Sequence, residues 1–564
     1  MNLQTSHYRM LLFILGALLF LPFLGASPLF DWDEINFAES AREMLVSGDY
    51  ARVRINFQPF WEKPPLFFWM QASCMHLLGV NEFAARLPNA IFGIITLLTL
   101  FEFGRELRSD RYGFLWALCM LGSFLPHVYF KSGIIDPVFN YFIFLSVWFI
   151  AKTVRAYKDG ASNLHPIFAG IFIGLAVLTK GPVGLLLPLL TVFFFWMSSR
   201  FKAIVAFKHL IYCAIAATLV TSIWFIPETI KNGPWFLQEF IEYQIRLFRT
   251  PDAGHAQPFF YHFVVVLLGC FPMSVPALRA LFRYPQARLE DPDFLFWMKT
   301  LFWVVMILFS VVTTKIVHYS SMAYLPLSAI AAVSMEEYLR GRQTWNFWQV
   351  SGLVLVGSII GLAMIGIPLV GMHPDWVLPL LKDPFAAGNL QAAVTWNWMD
   401  LLPGIIWLLG ISVAAMHLFR QRRFQAITWL FVPVILSTSI FLMSFPKRIA
   451  GYTQQAPLDF YASLQGRDVY VETLHFKSFA QYFYFRKPGF SPLEAQHCLD
   501  AEGYYHIDAL RSWYLTGNID KPVYFVLKST HKKDYETYPD LVWLKEKNGF
   551  SFAMRPVPGI GKQK

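Results

Sequence analysis

Between Phe30 and Pro65 the chain reads FDWDEINFAESAREMLVSGDYARVRINFQPFWEKPP. This stretch carries Asp31, Asp33, Glu34, Glu39 and Glu43, and then Glu62 beside Lys63 among aromatic residues. Asp33 and Glu34 are neighbours, so they cannot share one face of a strand or helix. One can meet a substrate while the other holds a cation, the backbone or solvent; a solvated or helix-capping acidic turn is the alternative. In Glu62-Lys63-Pro64-Pro65 two prolines fix the backbone directly after an acid–base pair. Lys63 there suits a phosphate as a point charge, or it anchors the chain at a membrane surface. Asp136, in KSGIIDPVFN, lies at the edge of an apolar run. Acids near membrane depth are costly and usually functional, although capping a helix ahead of Pro137 is also open.

Further basic groups share one feature: loop topology does not explain them. They are Lys131 and Lys180, then Arg246, Arg249 and His255 in RLFRTPDAGHAQPFFYH, and Lys315 beside His318 and Tyr319. A basic pocket beside an acid suits a phosphate leaving group next to a general base; lipid-headgroup binding is the alternative. A divalent metal held by Asp33, Glu34, Glu62 or His255 is open, but no compact ligand spacing supports one. A glycine-rich phosphate loop, HExxH and CxxC are all absent, so an activated donor is not expected to be read by a nucleotide fold.

The elements that must position these residues are mostly apolar. Of 564 residues, 56% are hydrophobic and 15% charged, against about 25% charged in soluble domains. A span needs about 20 apolar residues. Thirteen runs qualify: 8–27, 87–104, 112–130, 134–152, 165–180, 182–199, 207–227, 258–279, 296–314, 320–338, 347–371, 400–418 and 426–444. Lys180-Gly181-Pro182 reads as a tight turn between two of them. The run 65–80 is short and contains Gln71 and His76, so it is expected to be an interfacial helix. ESAREML is expected to be a short amphipathic helix. The first run has no small-residue cleavage site and reads as a retained anchor.

The net charge of +10 is no nucleic-acid signal, because the basic residues cluster in alternate short loops, as at Arg105, Arg108 and Arg111 or Arg420, Arg422 and Arg423. Such loops face the cytoplasm. With thirteen spans the N-terminus is then cytoplasmic, and the acidic stretch and the C-terminus are outside. Residues 445–564 change character: DVYVETLHF and PVYFVLK alternate, predicting a small α/β domain after a membrane domain of residues 1–444. The five cysteines outline no disulfide framework.

The stretches DEINFAESAREML with Gly48-Asp49, FWEKPPLFFW, NEFAARLPNA, Asp136, LTKGP, DAGHAQPFFYH and KIVHYSSMAYLPLSA together resemble the bacterial GT-C glycosyltransferases related to aminoarabinose transferase and to protein O-mannosyltransferases. The resemblance covers residues 8–340; the tail matches in position and size. It implies a polytopic α-helical GT-C membrane protein in the bacterial inner membrane, with a periplasmic site. The implied partners are a polyprenyl-phosphate sugar donor and a lipid or protein acceptor, with no nucleotide or soluble cofactor, and the sugar passes by single-step displacement with inversion. It further implies Asp33 as catalytic base, Glu34 as its neighbour in the acidic pair, Lys63 beside Glu62 on the donor phosphate, and Asp136 as a second active-site acid. Asn36 and Phe37 depart from the Arg and Tyr that aminoarabinose transferases tend to carry, so the reaction class is implied without the sugar. A polyprenyl-linked glycan flippase is the other function class. It predicts charges at mid-depth in several spans and internal repeats, whereas here the charges sit at the outer ends.

Overall fold

The structure, a computed structural model, describes residues 4–558 apart from 61, 160–161, 235–237, 243–244, 247–256, 283–288, 290, 292 and 501–504. Helices occupy all thirteen apolar runs. Among the described residues, seven are long and apolar enough to cross a membrane: Glu82–Leu107, Asp136–Tyr157, Phe207–Asn232, Phe294–Val311, Phe347–Met372, Trp398–Phe419 and Arg423–Thr453. Four shorter apolar helices are Thr5–Phe20, Leu66–Leu78, Leu164–Lys180 and Val183–Ser198. Large apolar side chains such as Leu219, Ile223 and Ile230 stand exposed along Phe207–Asn232, which suits lipid and not water as the surrounding medium. The chain is a polytopic helical membrane protein that ends in a small sheet domain.

Two expected spans are broken. The run 112–130 forms Asp110–Leu121 and Phe124–Tyr129. It turns at Gly122, where a Cβ would sit 2.4 Å from the Phe431 ring, so the break lets the last long helix approach. The run 258–279 forms Tyr261–Gly269 and Ser274–Phe282; Pro272 between them has no N–H for a helical ladder. The expected turn after Lys180 is present. Gly181 adopts φ +95° with the Phe240 ring against it, a conformation that a side chain would strain.

The acidic stretch folds as a helix, Asp33–Ser47, which Gly48 closes in the left-handed conformation. This helix is not amphipathic: Glu34 through Met44 are all buried. Leu29, Ile35, Ala38 and Ala41 share a core with Ala456, Phe483, Val526 and Phe550 of the tail. The tail therefore covers the face that solvent was expected to take. The buried Glu39 of this helix is paired with Arg42. Arg42 donates to both Glu39 oxygens at 2.6 and 2.7 Å, and Glu43 accepts from Phe57 N at 2.8 Å. Burial, with Glu39 beside it, holds the Glu43 carboxyl well above the usual range.

The last long helix runs to Thr453, past the boundary expected at 444. The polarity of the chain changes there, but the helix does not end, because Arg448 bonds Asp400 and the Thr395 carbonyl. Beyond it lies a four-stranded sheet in the order Tyr470–Leu474, Val523–Lys528, Phe550–Arg555, Val542–Lys547. The first two strands are parallel and the other pairs antiparallel. The tail is tied to the first loop. Gln454 bonds Leu29 O at 2.7 Å, Lys487 bonds Asn56 at 2.9 Å, and Leu29 N donates to the Tyr484 hydroxyl at 2.9 Å.

Candidate active site

A cavity of about 820 Å³ opens where the first loop meets the helix ends, and Asp33, Glu34, Glu62, Lys63, Asp136, Lys180, His318 and Tyr319 all line it. Helix geometry explains the grouping. Asp33 and Asp136 each begin a helix, where the exposed N–H groups favour an anion. Lys180 ends one, where a cation is favoured. Lys63 comes from the proline-stiffened loop ahead of Leu66–Leu78. His318 and Tyr319 come from a 3₁₀ turn, Val317–Ala323.

The charges interleave. Lys180 Nζ lies 2.5 Å from Asp136 Oδ1, over the rings of Tyr319 and Phe139 at 5.5 and 5.6 Å. His318 Nε2 faces Asp33 Oδ2 at 3.5 Å, and Lys63 Nζ faces Glu62 Oε2 at 3.9 Å. Burial pushes the Lys63 ammonium down from its usual value, and Lys180 adds to that, while Glu62, Asp33 and Asp136 oppose it. An arriving phosphate would restore the charge that burial disfavours.

Glu34 has a different place from its neighbour. Both its oxygens meet the Arg86 guanidinium, at 2.9 and 2.8 Å, and it accepts from Phe30 N at 2.9 Å and from Gly133 N. Arg86 also holds the carbonyls of Leu24, Ser27 and Pro28. Burial pushes the Glu34 carboxyl up, but the Arg86 charge and these bonds outweigh it and hold the carboxyl below the usual range. Every acceptor direction of Glu34 is committed to the protein.

Other expected residues fall elsewhere. Lys315 does not line the cavity; its buried ammonium turns back to donate to Val312 O at 2.8 Å, just past the end of the helix Phe294–Val311. Lys131 caps the carbonyls of Leu19, Phe20 and Pro22 after the first helix. Arg249 and His255 lie outside the described residues, but Arg246, before them, lines the cavity. Among the described residues, Asp33, Glu34 and Glu62 do not join a converging set of three metal ligands.

Two polar cavity residues, Asn140 and Lys477, escaped the sequence reading, and a third, Asp31, was given no role there. Asn140, one turn after Asp136, bonds Ser321 at 2.8 Å. Lys477, from the tail, lies 5.0 Å over the Trp32 ring. Asp31 lines this cavity and a second one of about 350 Å³ between the first loop and the tail. Its residue surface is exposed, yet that surface borders the cavities; loss of bulk water, with Asp33 adding, pushes its carboxyl up to about 6, against a bond from Ser478. Asn36 and Phe37 have local uses. With its amide oriented to satisfy both groups, Asn36 donates to Trp32 O and accepts from Trp32 Nε1, each at 3.0 Å. Phe37 meets Phe67 and Phe68 edge to face.

The family model of dolichyl-phosphate-mannose-protein mannosyltransferase matches residues 62–225. The undecaprenyl phosphate-alpha-4-amino-4-deoxy-L-arabinose arabinosyl transferase 1 of Proteus mirabilis is 28% identical over 341 residues, which are 59% of this chain and 60% of that protein. The corresponding transferase of Pectobacterium atrosepticum is 26% identical over 411 residues, 68% of this chain and 72% of that protein. The crystal structure of ArnT from Cupriavidus metallidurans bound to undecaprenyl phosphate superimposes with a TM-score of 0.77 at 18% identity, covering 99% of this chain and all of that one. The chain thus shares the fold of that transferase over its whole length, and the resemblance read from the sequence is borne out.

Proposed function

We propose that this relative of the aminoarabinose transferases and protein O-mannosyltransferases is an integral membrane glycosyltransferase, moving a sugar from a polyprenyl-phosphate carrier to a lipid, envelope glycan or protein acceptor. One observation carries the reading: a single cavity at the helix ends holds an acid beside an imidazole, Asp33 with His318, and two lysines, Lys63 and Lys180. That set suits an acceptor that must lose a proton and a phosphate that must leave with its charge. The names of the relatives, which act on undecaprenyl phosphate-linked aminoarabinose, support the same carrier class.

In this reading Asp33 takes the proton from the acceptor hydroxyl as its oxygen attacks the anomeric carbon. The new C1–O bond forms as the bond from C1 to the phosphate oxygen breaks, and the electron pair leaves with the polyprenyl phosphate. Lys63 meets that developing charge. Lys180 is held on Asp136 and fixes the neighbouring wall. The phosphate ester already activates the sugar, so no nucleotide or soluble cofactor is invoked. We also infer that the protein sits in the bacterial inner membrane with a cytoplasmic N-terminus and with the cavity and tail in the periplasm. Arg86 and Arg105 support this: the first marks the cavity end of Glu82–Leu107, and the second lies in the basic cluster at its other end.

The test is transfer of radiolabelled sugar from a polyprenyl-phosphate donor in membranes containing the protein. Labelled acceptor and free carrier are expected together. Donor crossing the bilayer without release of carrier would overturn the reading in favour of a flippase. Replacing the leaving-group cation should have a graded effect. Lys63→Met should cost about 1.5–3 kcal/mol of transition-state binding, which is roughly 10- to 150-fold in kcat/KM. An unchanged kcat/KM would remove Lys63 from the phosphate.

A further inference from the structure

The second cavity, of about 350 Å³ between the tail and the first loop, is lined by none of the residues assigned to the transfer. It lies outside the C-terminal ends of the two parallel strands, Tyr470–Leu474 and Val523–Lys528, where ligands of open sheets gather. Phe476 and Ser478 follow the first strand, Lys528 ends the second, and Phe550 begins the strand paired with it. Tyr461, from the helix Gln455–Ser463, and Phe30 and Asp31 of the first loop also line it. Phe30 and Asp31 line the donor cavity too, so the two cavities meet at the acidic stretch. We propose that this second cavity binds a neutral sugar ring of a glycan acceptor.

One buried group calls for a ligand. The Tyr461 side chain is 1% exposed, and among the described residues its hydroxyl has no hydrogen-bond partner. A buried hydroxyl left in that state is costly and uncommon. Burial, with Glu472 and Asp31 adding, holds the phenol well above its usual range, so its proton stays on oxygen and is there to be donated.

The other polar groups select the ligand's chemistry. Asp31 accepts from Ser478, and its carboxylate offers acceptors only. Lys528 offers donors only, and its ammonium lies over the Phe385 ring at 4.7 Å. Asp31 would repel a phosphate or carboxylate, and Lys528 would repel an amine. A sugar's hydroxyls donate to the first, accept from the second and meet Tyr461 as well. The rings of Phe30, Phe476 and Phe550 supply the apolar wall on which the C–H face of a sugar rests. The volume is at the lower end of the ordinary range for ligand pockets, about 300–1,000 Å³, which suits a single ring. The role as acceptor rests on the transferase reading, while the binding of the ring does not.

The test uses the full-length protein in lipid nanodiscs, since glycoside detergents would compete, with no donor present. The probes are the methyl glycosides of glucose, galactose, mannose and N-acetylglucosamine, titrated by saturation-transfer NMR. At least one should bind the wild-type protein saturably. Tyr461→Phe should weaken that binding about 3- to 10-fold, the worth of one neutral hydrogen bond, with the unfolding midpoint unchanged because the hydroxyl has no partner to lose. Thr453→Trp, which replaces an exposed residue of the lining with a side chain that fills the cavity, should abolish it. No glycoside bound, unchanged binding in either variant, or inorganic phosphate or a serine tripeptide binding there in place of every glycoside would overturn the proposal. A protein that binds a glycoside but never releases free carrier in the transfer assay would sink the transferase reading and leave the site standing; one that transfers sugar yet binds no glycoside would do the reverse.

Discussion

Asp33→Asn is expected to lower the turnover number for sugar transfer by about 10²- to 10⁴-fold, the usual worth of a positioned general base. The folded protein should hardly notice. The Asp33 side chain is one-third exposed to the cavity, and its ion-pair contact is His318 at 3.5 Å. Asparagine keeps the shape and still suits a helix start. The unfolding midpoint should therefore stay within about 0.5 kcal/mol of wild type. The change should fall on kcat with donor KM nearly unchanged, because Asp33 is asked to act on the acceptor proton and not on the resting phosphate. Turnover within a factor of three of wild type would remove Asp33 as the base and turn attention to Asp31, which borders the same cavity with a carboxyl titrating near 6.

The sequence spoke clearly wherever a property repeats along the chain. Apolar runs long enough to span a membrane recur along the chain, so the helices could be found, and basic loops alternate with them. It also separated the two helices at Lys180-Gly181-Pro182, because glycine and proline act locally. The breaks at Gly122 and Pro272 were missed, since a hydrophobic run hides them; Gly122 yields to Phe431, more than 300 positions away. Of the cavity, the charged members were legible because each departs from its apolar surroundings, and the resemblance grouped them. What each carboxylate touches was not legible. Lys315 and Lys131 looked like members of a phosphate pocket, but the nearest backbone carbonyls take their ammonium groups. Lys477 and the burial of Asp33–Ser47 depend on the tail folding back over the first loop, a contact across more than 400 residues that no local pattern encodes.

The clearest case is the pair Asp33-Glu34, adjacent in sequence and placed in different surroundings, and it yields the second large effect. Glu34→Gln should destabilise the protein by about 3–5 kcal/mol, the cost of leaving the other half of a buried ion pair uncompensated. Arg86 and Glu34 are both buried, and Arg86 gathers the carbonyls of Leu24, Ser27 and Pro28 as well. Without the carboxylate, that guanidinium keeps its charge in a site that water cannot reach, and the entry to the acidic helix loses its anchor. Arg86→Met should be equally damaging, because it strands the buried Glu34 carboxylate. The double variant Glu34→Gln/Arg86→Met should recover part of the loss, since replacing both partners removes the unpaired charge. Denaturation midpoints in detergent measure all three. A Glu34→Gln protein of unchanged midpoint but collapsed turnover would mean that Glu34 belongs with Asp33 in the chemistry. The expected pattern is the reverse: lost stability, with the surviving folded fraction still turning over. That pattern would separate two neighbouring carboxylates into one that reacts and one that holds the reacting one in place.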